Sequence, residues 1–91
     1  MTIKASALPL RRILLAEDDE SMCGFLMRAL EKAGYDVAAY NNGADALERL
    51  QQEPFSLLLT DIVMPRMDGI ELARRASELD PELKKIGRAH V

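Results

Sequence analysis

The chain has a single cysteine, Cys23, and a single histidine, His90. One thiol excludes an internal disulfide, and Cys23 reads as a small helix residue of a reducing compartment. Neither paired cysteines nor a helix carrying two histidines is present, so the usual zinc patterns are excluded. His90, next to the last residue, reads as tail. A Gly-rich phosphate loop closing in Lys-Ser or Lys-Thr is also missing. No stretch approaches the ~20 consecutive apolar residues of a membrane span. Met1 to Arg12 lacks the apolar run of a signal peptide. The net charge of −3 is too small to imply nucleic acid or a membrane surface as partner. The expected location is the cytoplasm.

What remains is 91 residues, 48% hydrophobic and 30% charged, which is the composition of one small globular domain. Residues 1–11, with Pro9 and no periodicity, read as a loose N-terminal extension. Arg12 to Ala16 is apolar on consecutive positions, as in a parallel strand covered on both faces. A helix is expected from about Glu20 to Ala33, with Met22, Phe25 or Leu26, Ala29, Leu30 and Ala33 as its buried stripe. Gly34 is placed to end that helix in a left-handed cap. Tyr35 to Tyr40 reads as a second strand, Asn41-Asn42-Gly43 as a turn and N-cap, and Ala44 to Gln52 as a second helix. In that helix Ala44, Leu47 and Leu50 or Gln51 mark the inner face. Phe55 to Thr60 is the third strand, and Asp68 can cap a third helix over 69–79 with Ile70, Ala73, Ala76 and Leu79 along one side.

Strand and helix therefore alternate three times with short connections. This argues for an α/β, flavodoxin-like doubly wound parallel sheet, with the first strand between the second and third in the order 2-1-3. Two of the strands end in acid: Ile13-Leu14-Leu15-Ala16 in Glu17-Asp18-Asp19, and Leu57-Leu58-Leu59-Thr60 in Asp61. Adjacent strands lie ~4.8 Å apart, so the two acidic ends share one crevice at the carboxyl edge, where open α/β sheets bind ligands. Glu17, Asp18 and Asp61 there would repel one another. A hard divalent cation relieves that repulsion, and Mg²⁺ suits an incomplete shell of carboxylates that leaves room for phosphate oxygens. One carboxylate then serves as nucleophile toward phosphorus, and Asp61 is the better candidate because a Pro-and-Gly loop follows it. Asp19 and Asp68 read as helix caps, Arg74-Arg75 as a solvated helix face, and Met64 and Met67 as loop packing.

Ile13-Leu14-Leu15-Ala16-Glu17-Asp18-Asp19, Ala33-Gly34-Tyr35, Asn42-Gly43 and Leu59 through Gly69 together resemble the response-regulator receiver domain, a CheY-like fold. Glu53-Pro54-Phe55 and Gly69 through Ala76 look closest to CpdR-like single-domain cell-cycle regulators. The resemblance implies that Asp61 is a phosphoacceptor for a sensor histidine kinase or histidine phosphotransfer protein. It implies Mg²⁺ held by Asp18 and Asp61 directly, by Glu17 through water, and by the backbone carbonyl of Val63. The implied output is a phosphorylation-controlled partner surface feeding a protease-adaptor pathway, so the chain is a signalling module rather than an enzyme. A haloacid-dehalogenase-type phosphatase is the enzymatic alternative. It calls for a second acid two positions after the nucleophile, where this chain has Val63. A phosphorylation-independent interaction module is the third reading.

The resemblance also calls for five strands. Residues 12–85 are read as a partial receiver, truncated after the third helix, which leaves the third strand as an exposed apolar edge. The closing Ile86-Gly87-Arg88-Ala89-His90-Val91 is too short and too polar for a fourth strand and resembles a translated sequencing adapter, so residues 86–91 are expected to be a non-native tail. The family's hydroxyl residue after strand four and its lysine after strand five find no counterpart.

Overall fold

Four consecutive apolar side chains, Ile13 to Ala16, can all be buried only in a strand covered on both faces. In the computed structural model, which describes residues 11–64 and 67–88, this segment is β1 (Arg12–Ala16), and none of the four is more than 1% exposed. β1 is followed by α1 (Glu20–Lys32), β2 (Asp36–Tyr40), α2 (Gly43–Gln52), β3 (Leu57–Asp61), α3 (Gly69–Leu79) and β4 (Lys84–Arg88). The strands are all parallel, in the order β2-β1-β3-β4. Residues 1–10, Pro65, Arg66 and 89–91 lie outside the described residues, and with them the expected N-terminal extension, part of the loop after β3, and His90. Among the described residues no helix is long and apolar enough to cross a membrane.

The helix boundaries follow from local chemistry. Asp19 caps α1 by accepting from the Ser21 and Met22 amides at 2.9 and 3.2 Å. At the other end Gly34 takes φ of +100°, its amide donates to Glu31, and the Tyr35 amide donates to Leu30. That pair of bonds is a Schellman cap, and its left-handed residue is the glycine expected there. Asn42 caps α2 through the Asp45 amide, and Asp68 caps α3 through the Glu71 amide.

Alternation along the strands sorts side chains to two faces. Leu14, Ala16 and Leu58 join Ala46, Leu47 and Leu50 of α2, Leu72 and Ala76 of α3, and Phe55, Met64 and Leu83 in one apolar cluster. Ile13 and Leu15 are equally buried but point to the opposite face, the side left to α1.

Three expectations change. The stripe assigned to α1 is only half covered: no α1 residue is buried, Phe25 is 59% exposed, and Ala29 and Ala33 face solvent. On α3 the inner face is Gly69, Leu72 and Ala76, with Ile70 and Leu79 outside. The register is turned because Gly69 sits against the end of β3. Finally, the sheet has a fourth strand. Lys84 to Arg88 pairs with Leu57 to Asp61, so Ile86, Gly87 and Arg88 belong to β4, and the order extends from 2-1-3 to 2-1-3-4. β4 is held through its backbone, which places no demand for apolar side chains on a strand largely open to solvent. β3 is therefore an interior strand, not an exposed edge.

Candidate functional site

β1 and β3 are neighbours in register, with Ala16 opposite Thr60. The next residue on each side is an acid, so Glu17 and Asp61 emerge together at the carboxyl edge. Both are 1% exposed, whereas Asp18 is open to solvent. One carboxylate oxygen from each of Glu17, Asp18 and Asp61 lies within 4.8 Å of the others. The three acids singled out in the sequence are thus brought together.

The backbone around them is tightly fixed. The Glu17 amide donates to the Tyr40 carbonyl at 2.9 Å, tying the end of β1 to β2. The Asp19 amide donates to Glu17 Oε2 at 3.2 Å, so the residue that caps α1 also steadies the acid before it. Asp61 Oδ1 accepts from the Val63 amide at 3.4 Å. Thr60 Oγ1 donates to the Asp61 carbonyl at 2.9 Å, and the Ile62 amide donates to the Arg88 carbonyl at 3.0 Å. The Gly69 amide donates to the Ile62 carbonyl at 2.8 Å, which brings the start of α3 back against the end of β3. A Cβ on Gly69 would collide with the Asp61 carbonyl and stand 2.7 Å from Ile62 Cα. Gly69 permits that close approach of α3 to the end of β3, where the Asp61 side chain is buried.

The remaining candidates take supporting places. Asp19 and Asp68 are caps. Met64 is buried in the core with Met67 packed against it, as expected of loop packing. Arg74 and Arg75 lie on an exposed helix face. Val63 is 68% exposed beside Asp61. Cys23 is partly buried; burial first, and Glu17 second, push its thiol up from the ordinary value.

The sequence reading missed one residue, Arg88. From the end of β4 its guanidinium donates to Glu17 Oε1, and Nη2 lies 3.9 Å from Asp61 Oδ2. The hydrogen bond to Glu17, together with the negative charges of Glu17, Asp61 and Asp19, raises the Arg88 pKa further above its ordinary value, burial acting the other way. No motif could have pointed to it, because its place depends on β4 pairing with β3.

The donor set suits a hard cation: oxygen-only, two acids buried and one exposed, with a cationic side chain already drawn to it. Mg²⁺ fits these residues.

A sequence model of the family described as "Response regulator receiver domain" matches residues 13–87. Over 75 residues the chain is 73% identical to the response regulator receiver protein CpdR of Brucella abortus (strain 2308), covering 82% of this chain and 62% of that protein. The chain thus spans less than two thirds of the length of that relative. A receiver domain protein (CheY-like) from Methanospirillum hungatei JF-1 superposes with a TM-score of 0.86 at 34% identity, covering 89% of this chain and 65% of the other. The response regulator TrrA from Thermotoga maritima, solved in complex with Mg(2+)-BeF, superposes with a TM-score of 0.83 at 28% identity, covering 87% and 69%.

Proposed function

The chain belongs to the response regulator receiver domain family, and we propose that within it Asp61 is the phosphoacceptor of a two-component phosphorelay. The observation that carries this reading is the meeting of Asp61 with Glu17 and Asp18 at the carboxyl edge, their oxygens within 4.8 Å. Asp18 and Asp61 would hold Mg²⁺ directly, Glu17 would act through water, and the Val63 carbonyl would complete the protein's share. When bound, the metal screens the negative charge of carboxylates and incoming phosphoryl group.

The chain's own residues do the rest. The Val63 amide donates to Asp61 Oδ1 at 3.4 Å. A carboxylate oxygen of Asp61 forms the new bond to phosphorus while the bond from phosphorus to the donor's imidazole nitrogen breaks. That nitrogen keeps the electron pair and takes up a proton. The donor is a sensor histidine kinase or histidine phosphotransfer protein. The product carries roughly −1.5 to −2 charges and strong acceptor oxygens, enough to bias a partner-binding surface. Regulated proteolysis, through a protease-adaptor pathway, is the readout we propose, as the CpdR-like resemblance of the sequence implies.

The test is incubation of the chain with Mg²⁺ and a small-molecule phosphodonor, followed by intact mass measurement of the unsubstituted chain and Asp61→Asn. The expected result is one phosphoryl adduct on the former and none on the latter. An adduct that survives in Asp61→Asn, or steady turnover of a phosphoester, overturns the assignment.

A further inference from the structure

The acidic edge carries an internal cation. Glu17 is 1% exposed, and a buried carboxylate needs a hydrogen-bonded counter-charge. Arg88 supplies one: it donates to Glu17 Oε1 and lies 3.9 Å from Asp61 Oδ2, so one guanidinium faces two of the three clustered acids. Its place is fixed at the backbone, where Asp61 pairs with Arg88 and the Arg88 carbonyl accepts from the Ile62 amide. The side chain stays about a quarter exposed, 28%, so it reaches the acids from the solvent side and has water to swing into. Asp18, the third acid, is turned to solvent.

We propose that Arg88 is a tethered competitor for the divalent cation of this site: its guanidinium neutralises Glu17 and Asp61 until the metal displaces it. The inference rests on the acidic edge being a metal site, as proposed above, and concerns this chain as it stands, with β4 ending in Arg88. A guanidinium and a divalent cation gain from the same two carboxylate charges, and binding of one reduces the attraction left for the other. At a partly exposed site the competing charge is expected to weaken metal binding on the order of tenfold.

The test uses Mn²⁺ as the probe, its binding read by electron paramagnetic resonance at fixed ionic strength. Arg88→Met keeps the apolar stem and removes the charge, and Arg88→Lys keeps a charge. The expected result is about tenfold tighter Mn²⁺ binding by Arg88→Met, with Arg88→Lys remaining close to the unsubstituted chain. Equal affinities for the unsubstituted chain and a folded Arg88→Met overturn the inference and leave the metal site intact. If neither chain binds Mn²⁺, the metal-site reading falls, and this inference with it. A second measurement needs no substitution: adding Mg²⁺ to the unsubstituted chain is expected to shift the Arg88 Nε–H resonance as the guanidinium is released. An unchanged resonance once the metal is bound overturns the proposal independently.

Discussion

Asp61 and Gly69 show how a site can depend equally on a side chain and on the absence of one. Asp61 is the proposed phosphoacceptor, and the backbone that carries it packs against the start of α3, where Gly69 meets the Asp61 carbonyl and Ile62 Cα. Gly69→Ala is therefore expected to destabilise the chain by about 1–3 kcal/mol, the usual cost of forcing atoms into a filled space. Urea denaturation checks this, and an unchanged midpoint would show that the backbone yields easily. Residue by residue, the acids were legible because a run of apolar side chains has no packing reason to end in carboxylates on two separate strands. Arg88 was not legible. Nothing local marks an arginine as the partner of a glutamate at the far end of the chain, since only the register of β4 on β3 joins them.

At the scale of elements, α3 carries its own charge network. Glu71, in its first turn, accepts from Arg74 Nη2 at 2.7 Å and from Arg75 Nε at 2.8 Å, and these bonds lower its pKa from 4.5 to about 2, Arg74 being the larger cause. A carboxylate whose folded pKa is depressed stabilises the fold above its unfolded value and loses that contribution as pH falls through the folded value. Glu71→Gln is thus expected to lower the thermal midpoint at neutral pH, with the difference shrinking from pH 4.5 down to about 2. Because the group is exposed, added salt is expected to reduce the difference as well. A difference that persists unchanged at low pH would assign it to something other than this charge. Elements were read well where local rules act, at the caps Asp19, Asn42 and Asp68 and at Gly34. They were read poorly at β4, whose Lys-Lys-Ile-Gly-Arg sequence follows neither apolar pattern and is strand only because β3 offers it a backbone ladder.

Taken whole, the molecule is unevenly built. One face of the sheet is closed by α2 and α3 over Leu14, Leu58, Leu72 and Ala76, all fully buried, while α1 on the other face buries none of its residues completely. Local opening follows buried apolar contact, so the elements are expected to differ in hydrogen exchange. Amides of β1 and β3, paired on both sides in the middle of the sheet, should exchange most slowly, followed by α2 and α3. Those of α1 should exchange faster, despite its well-formed caps at both ends. Caps satisfy end groups but do not replace burial, since most helical stability comes from packing of an amphipathic face. The periodic stripe of Met22, Leu26 and Leu30 was real in sequence yet meets only partial cover, because a pattern states which face is apolar and not how much lies against it. Protection of α1 equal to that of α2 and α3 would refute this ranking. The acidic edge spans the divide: Asp61 ends a strand of the firm half, whereas Glu17 and Asp18 lead into the helix with the least support. Binding of a cation across them is therefore expected to slow exchange at the first turn of α1 more than anywhere in β3, as ligand binding reports through whichever partner had more freedom to lose.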